Sequence, residues 1–468
     1  MWGKTQAMIP YAIFLFALLV LGYVAGSLTT LADAFPSRYV QHAYRAFNAL
    51  ALRHAYAENP YTSNLWVPAR TPQRGVTVYD AERAYTGPTL YATGQGAKAI
   101  LIDMGGRTLH EWKRPFHDIW DESAAVRNPV PERQIHFRKV LALPNGDLLA
   151  IYAGIGDTPW GYGMVKLDWD SNVIWKNLDT FHHDFAVADD GRIYGLTHHF
   201  RMRPVKGQGH LKPPLLEDFL VVLSPEGRTL QKISLLDAVQ RSRYSRKLWR
   251  ILHFSLWDPL HTNDVDVLDR KEAAALRPKV PIAAPGQVLL SFRELDGGTI
   301  ALFDVEKEEI VWALTGSWRS QHDPDILPNG NILIFDNLGD FGSRNASRVI
   351  EVDPATGGIV WSYSGAPGHK LFSYWRGVQQ RLPNGNTLIT ESNGARLLEV
   401  TPGGDIVWEF INPIRGKDGA VVPVVVSGTR LNPNATVGEL RAVLSPSSLP
   451  VEISSAKPRI HRPYYRLR

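Results

Sequence analysis

The chain has 468 residues, 44% of them apolar, with 14 Trp, 17 Tyr and 17 Phe, which supplies a large core and excludes a disordered protein. Its formal charge of +5 is modest and no nucleic-acid partner is expected; without a single cysteine, disulfides, thiolate zinc sites, Fe–S clusters and cysteine nucleophiles are excluded, leaving His and carboxylates for reactive chemistry. Thirty-nine Gly and 32 Pro, spread without low-complexity runs, indicate many turns between short strands and an all-β class.

From Thr5 to Ala32 no residue is charged, and Ile9 to Val24 is almost continuously apolar. That run exceeds the roughly 20 residues needed to cross a bilayer, whereas a cleaved signal has an apolar region of about 7–15. A retained anchor over residues 1–34 is the favoured reading, with cleavage at Ala32-Asp33-Ala34 the alternative. Lys4 keeps the short N-terminus cytoplasmic, so the expected location is the inner membrane, crossed once, with the remainder in the periplasm. Residues 35–95 form the expected stalk and linker: apolar residues at helical spacing up to about Ala57, then a turn-rich, uninformative stretch. The domain itself is expected to span 96–468.

Within it an apolar strand, a polar turn and a strand often ending in Trp recur six times. The copies are Ile100 to Trp112, Val165 to Trp175, Val221 to Ile233, Leu302 to Trp312, Ile350 to Trp361 and Leu398 to Trp408. Between copies lie inner hairpins built on Leu143-Pro144-Asn145-Gly146, Ala188-Asp189-Asp190-Gly191, Leu327-Pro328-Asn329-Gly330 and Leu382-Pro383-Asn384-Gly385, with Gly286 to Arg293 the counterpart in the fourth interval. An inner and an outer hairpin make four strands, and six such units predict a six-bladed β-propeller behind the N-terminal helix. Insertions interrupt it at 201–218 and 235–257. The second reads as an amphipathic basic helix packed over the propeller, or alternatively as a contact for acidic membrane. Ala420 to Val426 and Val451 to Ser454 are candidate strands for closing the ring, ahead of a basic C-terminal tail.

Placed on this frame, His322 lies six residues before Pro328 and His183 six before Asp189, so both are expected at one height of an innermost strand. His261 precedes the inner hairpin of the blade between them. His136, eight residues before Pro144, is a fourth candidate; His182, His198 and His199 are flanking histidines. Single histidines are usually structural, but three at matching repeat positions point to a site at the channel mouth.

The set His182-His183-Asp184-Phe185, His261-Thr262-Asn263-Asp264, Arg293, Gln321-His322-Asp323-Pro324 with Phe335-Asp336-Asn337, and Arg381-Leu382-Pro383-Asn384-Gly385 resembles the arylsulfotransferase family of bacterial PAPS-independent sulfotransferases. The resemblance covers roughly residues 95–413. It implies a six-bladed propeller that moves a sulfuryl group from an aryl sulfate donor to a phenolic acceptor through a sulfated histidine, with no cofactor and no metal. On that resemblance His322 is the nucleophile, His261 and Asn263 form its His-x-Asn partner motif, Arg293 is the arginine after the following strand, and His183, in competition with His182, is the acid/base. His182, Asn263 and Asn337 are expected against the substrate. The residue types suit sulfuryl transfer, since a neutral imidazole is a nucleophile near pH 7, a guanidinium neutralises sulfuryl oxygens, and the leaving phenolate needs a proton. Two other classes compete. Three histidines around a channel can bind a metal, and the Asp353-Pro354 turn resembles the repeat of quinoprotein dehydrogenases. A propeller can also serve as a non-enzymatic scaffold, although a buried Arg293 then lacks an anion to meet.

Overall fold

The structure, a computed structural model, describes residues 2–31, 35, 37–251, 255–339, 346–366 and 369–432. Five four-stranded antiparallel sheets and one five-stranded sheet make six blades. Their innermost strands, in ring order, are Val425–Arg430, Ile135–Ala142, Phe181–Val187, Thr262–Val267, His322–Ile326 and Val378–Arg381, which define blades I to VI. The six-bladed expectation holds.

The local chemistry of the turns produces the hairpins. In each Leu-Pro-Asn-Gly or Ala-Asp-Asp-Gly turn the glycine N–H donates back to the first carbonyl, at 2.8 to 2.9 Å, and the glycine takes φ between 75 and 92°. Proline presets the second position, and glycine alone enters the left-handed region without strain. The strands beyond are apolar on both sides because every blade is covered by two others. In blade II, Leu148, Ala150 and Tyr152 pack toward blade I, whereas Leu149 and Ile151 pack toward blade III. The recurrent Trp staples blade to blade: the indole N–H of Trp175, Trp361 and Trp408 donates to the carbonyls of Pro225, Pro402 and Met104 on the next outer turn.

The ring closes with one strand from each end of the domain. Val425–Arg430 pairs with Thr89–Thr93 in blade I, and Gly75–Tyr79 adds a fifth, outer strand to blade VI. The propeller therefore starts ahead of residue 96, and the stretch that gives no sequence signal contains three strands, Trp66–Pro68 among them. Val451 to Ser454, the second candidate for closure, and the basic tail lie outside the described residues.

Helix α1, Trp2–Leu31, is long and apolar enough to cross a membrane. Helix α2, Ser37–Glu58, meets the propeller through Arg53, whose guanidinium donates to the carbonyls of Asn128 and Pro129. The insertion expected as one basic helix over 235–257 is instead a seven-residue helix, Leu235–Arg241, followed by a 3-10 turn, Ser245–Arg250. Ser242 ends the helix, its hydroxyl donating to Val239 O and accepting from Tyr244 N. Of its basic residues Lys247 is partly buried, its Nζ 2.7 Å from Asp296, whereas Arg241, Arg243, Arg246 and Arg250 are exposed, with Arg243 donating to Val311 O. Residues 252–254 of the insertion are outside the described residues.

Candidate active site

Each innermost strand of blades II to V breaks register near the same level. Blades II, IV and V admit one extra residue there, but blade III admits two, because His182 pairs with Leu196 while Phe185 pairs with the adjacent Gly195. Bulges re-aim side chains. His183 has φ 54°, His261 φ 44° and Asp323 φ 54°, a region that costs a non-glycine residue of order 1–3 kcal/mol. The bulge also separates two kinds of equivalence. Counting from the turn matches His183 to His322, but the ladder sets His182 level with His322. It is nonetheless His183 that enters the cluster, its ring centroid 5.1 Å from His261 and 6.3 Å from His322.

His322 is 3% exposed and held in one tautomer. Its Nδ1 faces two acceptors, Asn337 Oδ1 at 2.8 Å and Ser320 O at 3.0 Å, so Nδ1 carries the proton. Asn337 cannot turn round, because its Nδ2 donates to Ser373 O and Arg376 O at 2.6 and 2.9 Å. Nε2 is left deprotonated, buried and without a partner among the described residues. Burial first, then the charges of Arg138 and Arg293, hold the imidazole pKa well below 6.5.

Two expected substrate contacts prove to be supports. Asn337 is fully buried behind His322, with its amide committed as above. Asn263 donates through Nδ2 to Gln321 O at 2.7 Å, tying blade IV to the residue before His322 and leaving its oxygen without a partner among the described residues. An oxygen cannot donate to a sulfuryl group. Gln321 is fixed in turn by Ser291 Oγ and Phe292 O.

His261 has the partner that a proton-carrying imidazole needs. Its Nδ1 lies 2.5 Å from Oδ2 of the buried Asp258, and Arg293 N donates to its carbonyl at 3.2 Å. His183 is held neutral by burial first and then by His182, and its Nδ1 is 2.7 Å from Nδ1 of His182. His182 is buried, pushed down to about 3, and stacked on His198 at 4.2 Å, so it backs His183 rather than facing a substrate. Trp160 lies across the group, 5.4 Å from His261 and 6.0 Å from His183. The Arg293 guanidinium contacts Glu294 at 3.0 Å and lies 5.7 Å from the ring of Trp375, which is 45% exposed.

A carboxylate layer belongs to the same strands. Asp184, Asp264 and Asp323 bring one oxygen each within 4.8 Å of one another, and Lys139 Nζ reaches Asp184 at 2.9 Å. Burial would depress the Lys139 ammonium, but Asp184 and Asp323 raise it, so the layer carries its own cation. In a second potential metal set, His182, His198 and Asp218, His198 Nε2 accepts from Gly161 N, which leaves the proton on Nδ1.

The chain matches the family described as Arylsulfotransferase (ASST) over residues 139–413. It belongs to the arylsulfotransferase family. No curated protein matches it. Among solved structures it is similar to a protein of unknown function from Bacteroides caccae, at 10% identity, with 73% of this chain and 99% of that chain covered and a TM-score of 0.45. It is also similar to a streptogramin B lyase, at 11% identity, covering 78% and 95% with a TM-score of 0.38.

The arylsulfotransferase match takes in His183, His261, Arg293 and His322, which the fold gathers at one level. His136 is buried in blade II, and His199 sits at the rim, 2.7 Å from Asp179. Four residues beside the cluster escape a histidine search: Asp258, Trp160, Arg138 and Arg376. Arg138 was within reach of the repeat, since it lies six residues before Pro144, as His322 does before Pro328.

Proposed function

We propose that this protein transfers a sulfuryl group from an aryl sulfate ester to a phenol, in two steps, through His322. The observation that carries the reading is the free Nε2 of an imidazole whose Nδ1–H is locked between Asn337 Oδ1 and Ser320 O. Nε2 attacks sulfur, the N–S bond forms as the ester S–O bond breaks, and the phenolate departs. The sulfated ring keeps its Nδ1 proton and becomes cationic, a charge that two hydrogen-bond acceptors favour. Arg293 stands ready for the sulfuryl oxygens. The proton for the phenolate comes from His261, whose imidazolium Asp258 stabilises, in place of His183, which burial keeps neutral. In the second step an acceptor phenol returns that proton to His261 and takes the sulfuryl group, freeing Nε2. Helix α1 serves in this reading as a single-pass inner-membrane anchor, with the propeller in the periplasm.

Purified protein given an aryl sulfate without acceptor should release one equivalent of phenol and keep the sulfuryl group on His322, and initial rates should give parallel ping-pong lines without a nucleotide. His322→Asn should stay folded and lose both half-reactions. Wild-type transfer by His322→Asn, or the label on another residue, would exclude the mechanism.

A further inference from the structure

Arg293 and His261 provide enough positive charge for a sulfuryl group that bears a single negative charge. Two further guanidiniums at the same level of the channel have no place in the steps above. Arg138 is the extra residue in the bulge of blade II. Among the described residues it forms no hydrogen bond or ion pair, although its charge is felt by His182, His183 and His322 on blades III and V. The nearby carboxylates are engaged elsewhere: Asp184 with Lys139, Asp264 with Asp184, and Asp323 with Gln379 N at 2.7 Å. Arg376, 7% exposed and two residues ahead of the innermost strand of blade VI, touches neutral oxygens, Asn64 O at 3.3 Å and Asn64 Oδ1 at 3.2 Å. Burial pulls Arg138 down to about 10 against the opposing charges of Asp184, Asp323 and Asp264, and burial and then the charge of Arg138 pull Arg376 down to about 9. His136, beside Arg138 on the strand, stays neutral through burial and then the charges of Arg376 and Arg138. Two desolvated cations, neither hydrogen-bonded to a carboxylate among the described residues, are stabilised when an anion joins them.

We propose that Arg138 and Arg376 form a second anion-binding subsite beside His322, so that the substrate carries a carboxylate or phosphate group in addition to the hydroxyl or sulfate ester that reacts. The subsite rests on the sulfotransferase reading only for what it is used for; its ligand chemistry follows from the guanidiniums, whose planar forks match either anion.

The test uses detergent-solubilised full-length protein, with Arg138→Gln and Arg376→Gln beside the corresponding Lys variants. Acceptors are phenol, 4-hydroxybenzoate and 4-hydroxyphenyl phosphate, with 4-nitrophenyl sulfate as donor; donor-free calorimetry measures binding of the two anionic phenols. Wild type should prefer an anionic acceptor over phenol in kcat/KM by about tenfold or more, the order expected for one charge-assisted contact, and each Gln variant should bring that ratio toward one and weaken binding by a similar factor. The Lys variants should keep part of the preference, which decides the matter if a Gln variant does not fold. The better of the two acceptors identifies the anion. An equal ratio in wild type, or binding unchanged in folded variants, overturns the subsite and leaves the sulfotransferase reading standing. If no phenol is sulfated, that reading fails, and calorimetry still upholds the subsite by losing affinity in the Gln variants or overturns it by keeping affinity.

Discussion

Both amide protons of Asn337 go to carbonyls, those of Ser373 and Arg376, so its oxygen is turned toward His322 and sets which ring nitrogen is free. Asn337→Ala removes that oxygen and one of the two donors to each carbonyl, since Ser373 O still accepts from Ser347 Oγ and Arg376 O from Ser373 Oγ, at about 0.5–1.5 kcal/mol of stability per lost hydrogen bond. A residue that fixes a tautomer acts on the chemical step, so kcat should fall by at least about 10²-fold while KM changes little. Comparable losses in both constants would mean that Asn337 only supports the fold. The same imidazole predicts a pH profile. Its pKa is held well below 6.5, so at neutral pH it is already deprotonated; the acid limb of the donor half-reaction should appear only as pH drops through the depressed value, while a loss at higher pH reports the proton that His261 supplies. An acid limb with its midpoint near 7 in single-turnover phenol release would contradict that. His322 was readable in the sequence from its place before a repeated turn, but Asn337 was not readable as a support. Nothing in Phe335-Asp336-Asn337 shows that Ser373 and Arg376, on the next blade, will claim its amide.

At the scale of the strand, spacing tells less than register. The six-residue offset finds His183 and His322, yet the ladder levels His182 with His322, because the bulge of blade III takes in two residues where its neighbours take in one. Bulges are set by pairing between strands, which residue order within one strand does not encode. They also explain why the acidic residues of these strands gather below the histidines. Burial first, then Asp184, raises the Asp264 carboxyl well above its usual range, and the two share a hydrogen bond. Asp264 therefore keeps its proton to higher pH in the fold than in the unfolded chain, so its contribution to stability declines as pH rises from about 4 toward the raised value. Asp264→Asn keeps a donor for Asp184 and removes that dependence. The melting temperature of the variant should gain on the wild type between pH 5 and pH 8; a constant difference would show that Asp264 is ionised when folded.

For the molecule as a whole, the blade repeat was legible because each hairpin is local, and the closure was not, because its strands lie more than 300 residues apart in sequence and are too short to show a period. Thr89–Thr93 sits between Val425–Arg430 and Lys98–Ile102, and its Leu90, Tyr91 and Ala92 are almost fully buried. Removing it withdraws two large apolar side chains worth about 1.5–3 kcal/mol each, plus two ladders of hydrogen bonds, from a domain whose net stability is typically about 5–15 kcal/mol. Gly75–Tyr79 is a lesser loss, being an outer strand with no fully buried residue. Helix α1 adds nothing to this stability, since Ile13–Leu31 is not buried against the propeller. Two truncations separate tether from fold. A chain beginning at Ser37 should be released from the membrane fraction and unfold in one cooperative transition with its activity intact. A chain beginning at residue 96, where the sequence alone puts the start of the domain, should lack the closing strand and aggregate or melt without cooperativity. Should the shorter chain fold as stably as the longer one, Val425–Arg430 must pair directly with Lys98–Ile102, and the ring would owe its closure to a register different from the one described.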